Sequence, residues 1–246
     1  MEKPEIYTRQ AAGSRSHETT ESAYYTRNIG AVTEDEFHTL QNSRVFIAGC
    51  GGLGGHLTAH LVRIGIGHIT AIDGDILEPT NMNRQLLCTT ETLGQPKAEA
   101  ARDYAFRINP VIDFTGIHAY LDECNCDSLI SGHDVIIDAL DNISSRRILA
   151  SACDRIGIPL VYGAICRWVA QISLLPPGTA ARRIEQIYPH SAAITDTSSL
   201  SFTPAFCASV QSAEAVKVLL GKPSELDGKL LYADLLHNEW EMLPLL

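Results

Sequence analysis

No Cys-x-x-Cys pair occurs anywhere in the chain. Its seven cysteines are scattered at positions 50, 88, 124, 126, 153, 166 and 207, and the closest two, Cys124 and Cys126, have no second pair to complete a tetrahedral thiolate site. An odd, dispersed set of this kind argues against a disulfide framework and for reduced thiols, so no structural zinc is expected. Long apolar runs are also missing: none approaches the ~20 residues that span a bilayer, and the N-terminus lacks a basic-then-apolar export pattern. A cytoplasmic protein without membrane partners is expected. Basic residues are few. Nineteen Lys and Arg face twenty-nine Asp and Glu, a formal charge of −10, whereas a general nucleic-acid binder needs a basic surface. Nucleic acid is therefore not the expected partner, although Arg102, Arg107, Arg146 and Arg147 leave room for a local basic patch.

What the chain does have is enough apolar material for one packed domain: 246 residues, 45% of them hydrophobic. Residues 1–22 are polar and aperiodic and are expected to form a disordered tail, with 23–246 a single domain. Thr33-Glu34-Asp35-Glu36 has the form of a capping box opening a short helix through Gln41. From Arg44 onward, strand patterns near 44–48, 68–73, 112–117, 133–138 and 158–162 alternate with helical patterns near 53–65, 96–108, 122–131, 143–156 and 204–220. Thr203 is the expected cap of the last of these, with Pro204 in its first turn. A hairpin through 229–233 and 238–243 closes the chain. The alternation predicts an α/β fold: a Rossmann-like, mostly parallel sheet with helices on both faces and C-terminal antiparallel strands. Between Pro176 and Phe202 no periodicity is evident, and a flexible crossover segment is expected there.

The most informative stretch is Arg44-Val45-Phe46-Ile47-Ala48-Gly49-Cys50-Gly51-Gly52-Leu53-Gly54. An apolar strand enters a glycine turn and leaves as a helix, which makes a phosphate cradle: Gly49, Gly51, Gly52 and Gly54 let backbone approach phosphate, and the helix N-terminus offers free N–H groups. Asp73 ends the next apolar run, where an acid meets a ribose hydroxyl in such folds. Three further motifs are expected at the C-terminal edge of the sheet: Asn81-Met82-Asn83-Arg84-Gln85, Gly94-Gln95-Pro96-Lys97 at the start of a helix, and Asp138-Ala139-Leu140-Asp141-Asn142 closing an apolar strand. Two cations, an amide and paired acids suit a triphosphate with a hard cation such as Mg²⁺. Taken singly, each has a plainer reading. Lys97 reads equally as a solvated helix residue, Arg84 as half of a surface ion pair, and Asp141-Asn142 as a helix cap. His56 and His60 have metal spacing on a helix, but no acid completes a site.

In this order the motifs resemble the MoeB/ThiF/HesA family, bacterial relatives of ubiquitin-activating enzymes, over about Tyr24 to Leu243. Val161-Tyr162-Gly163-Ala164 and Gln211-Ser212-Ala213-Glu214-Ala215-Val216-Lys217 also look like the family. The resemblance implies an adenylyltransferase that uses ATP and Mg²⁺ to activate the C-terminal Gly-Gly carboxylate of a small ubiquitin-like sulfur carrier, ThiS-like or MoaD-like, as an acyl-adenylate. It further implies that Gly52 contacts the nucleotide, that Asp73 holds the ribose, and that Asn81, Arg84 and Lys97 address the phosphates. Gln85 belongs to the same phosphate motif, and Asp141 holds the metal with Asn142 beside it. An arginine near the N-terminus of these enzymes reaches the ATP of the partner subunit. Arg27 in Tyr25-Thr26-Arg27-Asn28 matches its place better than Arg9, and implies a homodimer.

The chain departs from the family in lacking both zinc-binding Cys pairs and any cysteine in the crossover segment, which leaves a covalent carrier link unsupported there. Cys207 is expected to be a buried helix residue. Two relatives of the same fold stand as alternatives: an enzyme using ATP to dehydrate threonylcarbamoyl-adenosine on tRNA, and a non-catalytic carrier-binding scaffold. An NAD-dependent oxidoreductase accounts for the glycine loop and Asp73, but gives Arg84, Lys97 and Asp141 no shared task.

Overall fold

The computed structural model describes residues 4–8, 23–190, 192–193 and 196–246. Nine strands form one sheet: β1 (Glu5–Tyr7), β2 (Arg44–Ala48), β3 (His68–Ile72), β4 (Asp113–His118), β5 (Val135–Asp138), β6 (Leu160–Cys166), β7 (Val169–Leu175), β8 (Lys229–Asp234) and β9 (Glu239–Pro244). Their order is β1-β4-β3-β2-β5-β6-β7-β8-β9. β4, β3, β2, β5 and β6 are mutually parallel, while β7, β8 and β9 continue the sheet antiparallel. The helices are α1 (Glu34–Asn42), α2 (Gly52–Ile64), α3 (Lys97–Ile108), α4 (Cys126–Ile130), α5 (Ile143–Ile156), α6 (Ala180–Ile187) and α7 (Phe202–Leu219).

The parallel strands are apolar on both faces because helices cover both. In β2, Val45 and Ile47 belong to a core shared with α2, α3 and α7, while Phe46 and Ala48 belong to a second core with α4, α5 and α6. Alternating side chains of one strand thus bind two helical layers. The strand order reverses between β2 and β5, and at such a switch point the flanking loops diverge and leave a crevice beyond the strand ends.

The Rossmann-like α/β architecture agrees with the sequence expectation, and so do the capping box at Thr33 and the closing hairpin. Four local readings need correction. Glu5–Tyr7, inside the stretch expected as a tail, pair antiparallel with β4; residues 9–22, Arg9 among them, lie outside the described residues. β7 was not foreseen, because the two-residue turn joining it to β6 uses Arg167, at φ 53, instead of Gly or Asn. α6 lies within the segment expected to lack structure. Asp154 of α5 explains it: its carboxylate accepts from the Ala180 and Ala181 amides at 2.9 and 3.0 Å, capping the helix from a residue distant in sequence. Finally, α7 begins one residue before Thr203, whose hydroxyl donates to the Arg167 carbonyl at 2.8 Å and ties the helix to the β6–β7 turn.

Candidate functional site

A cleft of ≈ 580 Å³ lies beyond the ends of the parallel strands. Its lining residues follow β2, β3, β4 and β5 and continue onto β6 and β7. Six neighbouring strands at about 4.8 Å spacing give it a span of roughly 24 Å, long enough for a nucleotide and an extended second substrate end to end.

The floor is the loop between β2 and α2. Gly49 sits at φ 104, and a Cβ there would come 2.5 Å from the Ala139 carbonyl oxygen, so only glycine allows the ends of β2 and β5 to meet. Gly51 caps α2 without a side chain and, with Gly52, lines the cleft, which leaves the helix N-terminus open toward it. Gly54 has a different task. A Cβ there would lie 1.9 Å from the Gly49 carbonyl oxygen, so this glycine seats the helix on the strand and does not line the cleft.

Asp73, just past β3, accepts from the Cys50 amide at 2.7 Å and the Asp75 amide at 2.8 Å, which fixes the carboxylate over the glycine loop. Burial raises its pKa above the usual carboxylate range, against the opposing pull of Lys97 and the two amides. Lys97, the first residue of α3, is buried and reaches Asp75 at 2.8 Å. Burial disfavours its charge, but Asp73 and Asp75 outweigh this and raise its pKa. The ammonium is therefore kept charged inside the cleft.

Asn81, by contrast, does not line the cleft. Its side-chain oxygen accepts from the Glu78 amide at 3.0 Å, and its carbonyl accepts from the Arg84 and Gln85 amides at 3.2 and 2.9 Å. It shapes the turn that presents Arg84 and Gln85. Arg84 lines the cleft, and its guanidinium donates to the Thr80 carbonyl and the Asn83 amide oxygen, both at 3.0 Å, with no carboxylate partner among the described residues. Gln85 is buried in the wall beside Gly51, and its Oε1 has no hydrogen-bond partner.

The two acids after β5 separate cleanly. Asp138 is fully buried and pairs with Arg146 at 2.9 Å. Arg146 also donates to the carbonyls of Gly163 and Leu140 and stacks over the Tyr162 ring at 5.1 Å. This takes Arg146 out of the local basic patch that the sequence left room for; Arg102 and Arg147 are likewise paired, with Glu99 and Asp103 and with Glu185. Asp141 is exposed at the cleft, where its contact is the neutral Asn142 amide at 3.3 Å. Asn142 also caps α5, accepting from the Ser145 amide at 2.8 Å. Among the described residues no three His, Cys, Asp or Glu cluster as a metal site. One free carboxylate suits Mg²⁺, which typically takes one or two carboxylates and completes its shell with substrate phosphates and water.

Arg27 is not brought to the cleft. Its turn is fixed at the far end of α2, where the Tyr25 hydroxyl donates to the Val62 carbonyl and the Asn28 amide to the Ile64 carbonyl. Thirteen residues of helix, about 18 Å, separate that end from the glycine loop. Cys207 is buried in α7, and burial pushes its thiol up.

Tyr120, Cys166 and Tyr188 also line the cleft and escaped the sequence reading; Asp75 entered it only as the second acid of Asp-x-Asp, without a role of its own, and the strap Asp196–Ser199 only as part of the 176–202 crossover segment. The strap is tied over the β6–β7 turn by Arg167, whose amide donates to the Ser198 carbonyl at 2.8 Å and whose side chain pairs with Asp196 at 2.5 Å. No local pattern marks such long-range ties.

The ThiF family model matches residues 25–245. The chain belongs to the ThiF family. As a ThiF-family chain it is 33% identical over 235 residues to the SAMP-activating enzyme E1 of Haloferax volcanii, covering 93% of this chain and 87% of that one. It is 34% identical over 217 residues to the molybdopterin-synthase adenylyltransferase of Escherichia coli, covering 86% and 87%. Among solved structures, PaaA superposes with a TM-score of 0.76 at 19% identity, over 97% of this chain and 78% of that one, a likeness of fold.

Proposed function

We propose that the protein is an ATP-dependent adenylyltransferase that activates the C-terminal Gly-Gly carboxylate of a small ubiquitin-like sulfur carrier. The observation that carries this is a set of groups in one cleft with no direct partner of opposite charge or role among the described residues: a guanidinium (Arg84) and a carboxylate (Asp141) outside any ion pair, the carboxylate sharing the cleft with the Lys97 ammonium at longer range, and a buried amide oxygen (Gln85) without a donor. A dinucleotide site gives these groups nothing to do; a triphosphate with a metal engages them. The names of the relatives, an E1 and an adenylyltransferase, support the same reading.

In this reading the nucleotide lies at the β3–β5 end, with ribose at Asp73 and phosphates between the glycine loop, Arg84 and Lys97. The carrier tail enters along β6 and β7 beneath the Asp196–Ser199 strap. One carboxylate oxygen bonds to the α-phosphorus, the bond from that phosphorus to the bridging oxygen breaks, and pyrophosphate leaves with the electron pair. No general base is needed, because the terminal carboxylate is ionised at neutral pH. Lys97 and Arg84 neutralise charge as it builds on the departing phosphates, and the closed floor of the cleft holds the reactants in line. Mg²⁺, held by Asp141 and phosphate oxygens, would supply further charge neutralisation there.

The proposal includes a homodimer in a cytoplasmic setting, with residues 23–246 acting as one unit. Arg27 of each protomer serves the site of the other, because the length of α2 keeps it from its own. Carrier-dependent exchange of pyrophosphate with ATP is the test. Lys97→Ala and Arg84→Ala should each lose at least ~10²-fold in exchange rate. A wild-type protein inactive with every Gly-Gly-ended carrier, or full activity in both variants, would refute the reading.

A further inference from the structure

Two aromatic side chains line the cleft, Tyr120 and Tyr188. Tyr188 is committed to the core: its hydroxyl is 2.7 Å from that of Tyr162, and its ring lies under the Arg146 guanidinium at 5.9 Å. Tyr120 is different. It is 70% exposed, at the mouth of the cleft just beyond β4, and its hydroxyl donates to Asp75 at 2.8 Å. The backbone around it is fixed, since Asn125 donates to the Tyr120 carbonyl at 2.8 Å and Leu121 is buried. An exposed ring, held by one hydrogen bond, is thus mounted on a fixed backbone.

The seat of that ring is Gly74. A Cβ at position 74 would come within 2.6 to 2.7 Å of three Tyr120 ring carbons, and Gly74 is not in the left-handed region. Glycine is required here by the ring, which lies on the peptide next to Asp73, and not by the backbone conformation. Asp75 joins this wall to the phosphate end: one carboxylate oxygen receives the Tyr120 hydroxyl, the other holds Lys97 at 2.8 Å.

We propose that Tyr120 is a positioning residue for the nucleoside half of the nucleotide, a movable aromatic wall seated on Gly74 and latched to Asp75. This rests on the adenylyltransferase reading and deepens it. A base or ribose entering beside Asp73 meets the ring as one side of its slot. The latch keeps the ring upright, and the exposure lets it open for exchange of nucleotide. Stacking on such a ring is sequence-tolerant and contributes substantially to nucleotide affinity.

Calorimetric titration of the full chain with ATP and with AMP tests the idea without any carrier. Tyr120→Ala should weaken both ligands alike, by about 5- to 100-fold, the range of base–aromatic stacking losses. Tyr120→Phe keeps the ring and loses only the latch, and should stay within about 5-fold of wild type. Gly74→Ala displaces the ring without removing it. Because the ring is exposed it swings outward, so this variant should keep its melting temperature and reproduce the Tyr120→Ala loss. Lys97→Ala, in contrast, should weaken ATP far more than AMP. Wild-type affinity for both ligands in Tyr120→Ala and Gly74→Ala would overturn the wall. So would a loss confined to ATP, which would assign Tyr120 to the phosphates through Asp75. If the wild type itself binds neither ligand, the adenylyltransferase reading falls as well; if it binds both and the variants match it, the wall alone falls.

Discussion

Asp138 and Asp141 are three residues apart, yet their replacement should have opposite consequences. Asp138→Asn is nearly isosteric but removes the carboxylate that, alone among the described residues, pairs with Arg146, whose side chain is 3% exposed and holds its place through Asp138, Gly163 and Leu140. A buried guanidinium left without its counter-charge destabilises by about 3–5 kcal/mol. For a chain of this length, at about 2 °C per kcal/mol, melting should fall by about 6–10 °C. Asp141→Asn removes an exposed carboxylate that makes no salt bridge among the described residues and meets Lys97 only at longer range, so stability should change by less than ~0.5 kcal/mol. Its effect should instead be on carrier-dependent pyrophosphate exchange and on the Mg²⁺ concentration that exchange requires. Thermal melts and urea unfolding measure the first property, and exchange titrated with Mg²⁺ the second. An Asp138→Asn protein as stable as wild type, or an Asp141→Asn protein that melts early and keeps full exchange, would refute this division of labour.

Asp75→Asn should shift the alkaline limb of exchange activity to lower pH. Lys97 would keep the support of Asp73 and Asp141 but lose the hydrogen bond and charge of Asp75, against the same burial; an unmoved limb would count against a charged Lys97 in the reaction. The same pKa fixes the sign for stability: it is raised on folding, so its contribution is complete below about pH 10.4, the ordinary lysine value, and is lost as pH climbs through the higher folded one. Mixing Arg27→Ala with Asp141→Ala should restore exchange after subunits re-pair, because one of the two sites in a mixed dimer is then intact. No recovery after verified exchange of subunits would argue against shared sites. Elemental analysis of the purified protein should find no stoichiometric zinc, and Cys207→Ser should keep its adenylation activity. One zinc per chain would contradict the first statement and direct attention to Cys124 and Cys126.

The sequence by itself determined the architecture and the identity of the main cleft residues. Apolar strands alternating with helical patterns admit few arrangements besides a doubly covered parallel sheet, and the connection rules of that sheet carry every motif at a strand end to one edge. Glycine at positions 49, 51 and 52, Asp73, Arg84, Gln85, Lys97, Asp141 and Asn142 were therefore legible before any coordinates, as nearest neighbours of their own strands or helices. Tertiary structure alone decided what each neighbour does with them. It shows Gly54 serving helix packing and Asn81 serving a turn, because both act on backbone that only the fold brings close. It separates Asp138 from Asp141 by burying one against an arginine from the following helix. It supplies α6 through a cap from Asp154, and β7 through a turn held by Asp196, ties that span 26 and 29 residues and leave no local pattern. Periodicity records which face of an element is buried; which polar group answers another across the sheet is set by contacts between residues far apart in sequence.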